Sequence, residues 1–432
     1  MEKASLSFDQ APPFTAPLRF FLTAPIFALL AGLLLLWEGP DLLLSRWTPG
    51  ALAATHLLTI GFMLQTMLGA LIQIMPVVAG VNIQNPVIFA RWVHIGLTLG
   101  ALALVSGFYF SLPAALTMAA IVLGISVSVF LIGVIRPLSH TPTTSPTIRG
   151  LKLAMFGLAG VVGLGVLLAL ALAHGWAIPL MALTDLHASW GLGAWGGILL
   201  AAMAYVVVPM FQLTPGYQAR LSWWFPLLLL ICVGIWSVGV LLDLAILGRL
   251  AQAFASLLGM GFCGFTMRLQ LKRRRARADT TYRYWQLGLS CAIFALFMVL
   301  TATLWPSLAE SNAWPLVIGL LLIIGGFLSF ITGMLYKIIP FLGWMHLQTL
   351  GEYKIPAPPM KKILDEPAMN LQMLAHGLAL LVLLVAVFVP ELVRLGGLLF
   401  AIASGLLMWN VFGAARRYRQ HSVLILEKLA KR

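Results

Sequence analysis

Runs of about twenty mostly apolar residues recur along the whole chain, at roughly 17–37, 52–80, 89–110, 113–135, 150–173, 186–211, 221–243, 246–267, 285–306, 314–340, 371–389 and 392–415. Twenty residues at a rise of about 1.5 Å each cross the hydrocarbon core of a bilayer. Within that core only helices and closed barrels satisfy every backbone polar group, and strands of a barrel need only about ten residues. The pattern therefore predicts an all-α, polytopic membrane protein with about twelve transmembrane helices, forming one integral membrane domain over 1–432. Composition agrees: 61% of residues are hydrophobic and 9% charged, against about 45–50% and 25% in soluble domains. The first run follows a polar start, MEKASLSFDQAPPF, and lacks a small-residue cleavage site. It reads as a spanning helix and not as a removed signal.

A formal charge of +14 raises nucleic acid as a partner, but the distribution of charge argues for topology instead. With the N-terminus placed in the cytoplasm, all of the 27 lysines and arginines except Arg46, Arg249 and Arg394 fall on the cytoplasmic side. That bias orients the chain with both termini inside and agrees with an even number of helices. The expected setting is a bacterial-type cytoplasmic (inner) membrane, crossed many times, with the lipid bilayer as the main partner and no nucleic acid. Cys232, Cys263 and Cys291 stand singly within apolar runs, which points to small buried hydrophobes and away from thiol redox chemistry.

Three segments end alike, GALIQIMP at Pro76, AMAYVVVP at Pro209 and GMLYKIIP at Pro340. Seven positions before these prolines stand Gly69, Ala202 and Gly333, and fifteen before stand Gly61, Ala194 and Gly325. Small residues at such positions let neighbouring helices approach closely. The segments are helices two, six and ten of the count. Their interval predicts a pseudo-threefold repeat of four-helix units, at about 17–135, 150–267 and 285–415.

Ionisable groups inside spans are costly and mark function by default. Asp185, Asp243, Glu310 and Glu391 all fall at the outer ends of spans, and Lys337 lies close enough to an inner end to snorkel. Histidine is what remains. His56 lies 20 residues before Pro76 and His187 lies 22 before Pro209, so both sit at the outer ends of corresponding helices. His94 and His376 lie a few residues into helices three and eleven from the inner side, while His140, His174, His346 and His421 read as loop residues. Neutral imidazole is a common ligand of metals and heme. His56 and His187 are the first candidates for a heme or copper site, with His94 and His376 after them. A histidine near a span end also serves as an interfacial hydrogen bonder, and both readings stand at this point. Met67, Met75, Met203 and Met210 read as core filler, and Tyr205 and Tyr336, each four residues before its proline, as packing or hydrogen-bonding groups.

The phrases ATHLLTIGFMLQTMLGALIQIMP and LHASWGLGAWGGILLAAMAYVVVPMFQ, on a twelve-helix chain of threefold repeat, resemble the catalytic subunit of heme–copper oxidases and nitric oxide reductases. The chain is also similar overall to the smaller NnrS family of heme- and copper-containing membrane proteins of the nitric oxide response, in which RWVHIGLTLGALAL around His94 resembles the third-helix histidine region. The resemblance implies a non-covalent heme b, or copper, with His56 in the place of a low-spin heme ligand and His187 in that of a copper ligand. It also implies nitric oxide or another small gas, or respiratory-chain components, as partners. The departures are at ESNAWPLVIG in helix ten and LSWWFPLLLL in helix seven, where the family's histidine pairs are missing. The full binuclear centre cannot be built from that pattern, and no reaction is assigned. Two other classes fit the same chain. One is a secondary transporter of a small solute, and the other is a cofactor-free assembly factor for a respiratory complex.

Overall fold

A computed structural model describes residues 10–274 and 277–431. Lys3, Arg275 and Arg432 of the basic set lie outside these. Twelve helices are long and apolar enough to cross a membrane, and no strand occurs among the described residues. They are α1 (Thr15–Leu44), α2 (Pro49–Ala79), α3 (Pro86–Tyr109), α4 (Pro113–His140), α5 (Pro146–His174) and α6 (Leu180–Gln212). The second half adds α7 (Ala219–Leu241), α8 (Ala245–Leu271), α9 (Thr280–Leu304), α10 (Ala313–Leu350), α11 (Glu366–Ala386) and α12 (Pro390–Ala430).

Local chemistry sets several of the boundaries. Pro49, Pro86, Pro113 and Pro146 open their helices, where a missing N–H costs nothing and φ is already helical. Thr48, Ser145 and Asp279 cap α2, α5 and α9 by accepting from the N–H groups of Ala51, Ile148 and Tyr282. Two helices run further than their apolar runs. α10 passes through Pro340 to Leu350, and α12 extends to Ala430 as an increasingly polar helix. A proline removes one backbone bond and bends a helix without ending it when packing holds both sides. His346 and His421 thus sit on helices, not loops, and His140 and His174 are the last residues of α4 and α5. The long connector shrinks to residues 351–365, with a one-turn helix at Met360–Ile363 after the extended prolines.

Packing sorts the helices into two shells. In their most apolar stretches α2, α10 and α6 are 78, 67 and 56% buried, whereas no other helix exceeds 50%. Around these three, neighbours follow the order α1, α3, α4, α5, α7, α8, α9, α11, α12, and α12 returns to α1. That last contact needs two glycines. A Cβ on Gly32 would lie 2.5 Å from the backbone nitrogen of Ala401, and one on Gly397 would lie 2.5 Å from that of Leu36. The ring closes with backbone against backbone, as small residues permit in membranes.

The inner helices share a local irregularity. Each contains π-helical turns, Leu57–Leu64 in α2, Trp190–Gly197 in α6 and Leu320–Leu328 in α10. Each stretch ends twelve residues before the proline of its helix, Pro76, Pro209 or Pro340. The small residues identified above face corresponding neighbours. Gly61 and Gly69 meet Phe27 and Phe20 of α1; Ala194 and Ala202 meet Gly157 and Gly150 of α5; Gly325 and Gly333 meet Cys291 and Tyr284 of α9. All three cysteines are buried and unbridged.

Candidate functional site

The end of the bundle where α2 and α6 begin brings His56 and His187 together. Their ring centroids are 6.4 Å apart with planes inclined by 21°. His56 closes the regular first turns of α2, immediately before the π turns, and His187 lies three residues before those of α6. π turns shift every residue on one side relative to the other and concentrate at functional sites. Both rings are half-buried. Phe108 of α3 flanks His56 at 5.0 Å between centroids. Gly165 of α5 leaves the space that the His187 ring fills, since a Cβ there would lie 3.0 Å from its Cε1.

The hydrogen bonds of the two rings agree. Nδ1 of His56 lies 2.7 Å from the carbonyl oxygen of Leu52, and Nδ1 of His187 lies 3.0 Å from that of Val161 on α5. A carbonyl only accepts, so in each ring Nδ1 carries the proton and donates it. The tautomer leaves Nε2 with its lone pair. No hydrogen bond engages either Nε2 among the described residues. A ring fixed through Nδ1 to a carbonyl, with Nε2 available, is the usual arrangement of a metal-ligating histidine. The spacing falls within the range of offset ring contact and is also short enough for both imidazoles to reach one metal.

A salt bridge lies close to the pair and joins the same two helices. Nη1 of Arg46, in the α1–α2 connection, donates to Oδ1 of Asp185 at 2.6 Å. It ties the start of α2 to the start of α6, two residues from His187. Arg46 also stacks over Trp47, 4.6 Å from the ring centroid.

The other two histidines are placed elsewhere and apart. Nε2 of His94 on α3 lies 2.7 Å from the Thr23 hydroxyl of α1. Nε2 of His376 on α11 lies 3.0 Å from the Ser329 hydroxyl of α10. In each, Nε2 is engaged by a hydroxyl of a neighbouring helix. His376 is buried beside Tyr284 and borders a satisfied polar cluster. There Oε1 of Gln372 accepts from the hydroxyls of Tyr284 at 2.5 Å and Tyr336 at 3.0 Å, and Asn410 donates to Tyr336. Lys337 reaches the end of a neighbouring helix, at the cap residue of α9. It forms an ion pair with Asp279 at 2.7 Å.

Sequence reasoning missed the anchors, namely Val161, Thr23, Ser329 and the Arg46–Asp185 pair. No local motif signals a partner that lies 26 to 139 residues away. Among the described residues no group of three or more His, Cys, Asp or Glu side chains is arranged to hold a metal ion. The donor set is two imidazoles. Such a set is incomplete for a tetrahedral metal and would suffice for a group that brings its remaining donors with it, as heme does. No protein-family model matches the chain, and comparison with curated proteins gives no relative.

Proposed function

We propose that this protein is a heme-binding integral membrane protein on a degenerate heme–copper oxidase-like scaffold, akin to the NnrS family, with His56 and His187 as the ligands of a heme b. One observation carries the reading. Two histidines from two inner helices stand side by side, each with Nδ1 committed to a carbonyl and Nε2 free of any protein partner. Copper would find the same two imidazoles and no cluster that adds a third His, Cys, Asp or Glu among the described residues, so heme suits the set better. Bound there, heme would supply one-electron redox chemistry or an iron able to take a small gas, which is the basis for a role in nitric oxide response or respiratory electron transfer. The residues have defined tasks. Leu52 and Val161 hold the tautomer, Gly165 gives the His187 ring its space, and Arg46 with Asp185 fixes the outer ends of α2 and α6.

The scaffold reading, three four-helix units around a pseudo-threefold axis, is supported by features that recur every four helices. These are the π turns at a constant distance from a proline, the small residues facing α1, α5 and α9, and the burial of α2, α6 and α10. The placement of both termini in the cytoplasm of a bacterial-type inner membrane rests on the basic residues at one end of the bundle.

The test is an absorption spectrum of the purified protein, oxidised and dithionite-reduced, beside His56→Ala and His187→Ala. A Soret band that is lost or shifted in either variant, and kept in His94→Ala, is the expected result. A colourless protein sinks the proposal and leaves transport or complex assembly.

A further inference from the structure

Arg394 is one of the few basic residues at the end of the bundle that carries the histidine pair. It stands in the first turn of α12 and is exposed. Arg46, at the same end, has its charge met by Asp185. Arg394 makes no hydrogen bond, ion pair or ring contact among the described residues. Its side chain nevertheless has a fixed bed. A Cβ on Gly39 would lie 2.7 Å from its Nε, so the arginine lies across the bare backbone at the end of α1. An exposed guanidinium can rest in water, but what adjoins this one is an apolar cleft.

The cleft has a volume of about 870 Å³ and lies between α1 and α3, with Leu57 of α2 as its floor and Arg394 at its edge. Its lining changes with depth. Trp37 and Tyr109 stand at the ends of the regular turns of α1 and α3, and such rings mark the headgroup level of a bilayer. Leu33, Leu30 and Leu102 line it one to two turns deeper. Trp37, Leu33 and Leu102 are exposed on the outer surface of the ring of helices, so the cleft opens towards lipid. One polar end and an apolar length below it match the outline of an amphiphile.

Charge narrows the occupant. Among the described residues Arg394 is the one charged group that lines the cleft. Glu38 is near but turned into the bundle. Its Oε1 accepts from the Tyr109 hydroxyl at 2.8 Å, and its Oε2 faces Gly50 of α2, 3.2 Å from where a Cβ would lie. A guanidinium fork matches the oxygens of a phosphate, and basic pockets between membrane helices take anionic headgroups. A zwitterionic headgroup would bring an ammonium that meets no carboxylate in the lining. An uncharged headgroup alcohol makes no such demand.

We propose that this cleft is a binding site for an anionic phospholipid of the phosphatidylglycerol type, its phosphate on Arg394, its headgroup beside Trp37, and one acyl chain between α1 and α3 along Leu33, Leu30 and Leu102. The occupant rests on Leu57, the first residue of the π turns of α2 and the neighbour of His56, and so supports the start of that helix from the lipid side. The proposal holds whether or not the protein carries heme.

Native mass spectrometry of the full chain in detergent, titrated with dioleoyl phosphatidylglycerol and with dioleoyl phosphatidylcholine, tests it. A saturable one-lipid adduct is expected, about tenfold tighter for phosphatidylglycerol, with that preference lost in Arg394→Gln. Arg249 is exposed at the same end of the bundle and does not line the cleft, so Arg249→Gln is expected to keep the preference. Ser106→Leu puts a larger side chain into the cleft and should remove the adduct with either lipid. Added phosphatidylglycerol should also raise the melting midpoint of the parent and of Arg249→Gln, and leave that of Arg394→Gln where it was. No saturable adduct in the parent, equal binding of the two lipids, a preference that survives Arg394→Gln, an equal loss in Arg249→Gln, or an adduct that survives Ser106→Leu overturns the proposal. Displacement of the lipid by an equal concentration of oleate would make the occupant a fatty acid and overturns it too.

Discussion

A single side chain can hold several helices in register when the surroundings offer it no water. Gln372 is such a residue. Buried on α11, it accepts from Tyr284 of α9 and Tyr336 of α10 and donates to the carbonyl of Ala403 on α12. Interhelical hydrogen bonds in membranes average only about 0.6 kcal/mol, because the separated helices find other partners. Removing a shared acceptor is a different case, since it strands the buried Tyr284 phenol and leaves the Tyr336 hydroxyl without an acceptor, with only its bond from Asn410, at about 1–3 kcal/mol for each unmet donor. Gln372→Leu is therefore expected to destabilise the protein by about 2 kcal/mol or more, read as a lower midpoint in denaturant or heat. Thr280→Ala, which breaks the one bond to Asn370, should cost under about 1 kcal/mol. Equal effects would show that the cluster adds nothing beyond its separate bonds. The same scale separates what the sequence displays from what it hides. His56 and His187 are visible because each heads a recurring phrase, and their depth follows from counting back from a proline. The partners of His94 and His376 are hidden, because Thr23 and Ser329 become neighbours only through the rotation of each helix about its axis. A helix that is apolar on all sides carries no stripe from which to read that rotation.

The π turns act at the scale of the element. A stretch of such turns holds one residue more than an α-helix would over the same span, so the residues before it are rotated relative to those after it. In α2 this sets the direction of His56 against a helix otherwise fixed by Gly61 and Gly69 on α1. Deleting Ile60, within the π turns, should remove the one residue in excess, restore α-helical bonding and leave His56, Gly69 and Pro76 in their present relation. The expected outcome is a membrane-inserted, monodisperse protein that keeps its Soret band. The contrast is insertion of one alanine after Ile60, which should swing His56 by about 100° while Gly69 and Pro76 stay in place, and so lose or shift the band. A band lost on deletion and kept on insertion would overturn this account of the π turns. The spacing of the small residues and prolines disclosed that α2, α6 and α10 correspond. It did not disclose the π turns, since glycine lowers the cost of an irregular backbone without dictating which irregularity forms.

At the scale of the molecule the chain resolves two demands, a closed ring of helices and a fixed direction across the membrane. Closure comes from α1 meeting α12 through Gly32 and Gly397, and hydropathy alone does not foresee it. The sequence predicts a direction because lysine and arginine resist crossing, whatever the helices do among themselves. Two of the three exceptions are informative about why they are tolerated. Arg46 has its charge met by Asp185, and Arg394 is exposed at the start of α12. The orientation then follows as a prediction that depends on no cofactor. The native cysteines are buried and free, so the chain has a low background for a membrane-impermeant maleimide. Ser307, between α9 and α10, and Thr144, between α4 and α5, are both exposed and lie at opposite ends of the bundle. In intact cells Ser307→Cys should be labelled and Thr144→Cys should not, while permeabilised cells should label both. The reverse pattern would place the basic end outside and overturn the orientation. Labelling of both positions in intact cells would leave the ring of helices standing and remove the charge argument for its direction.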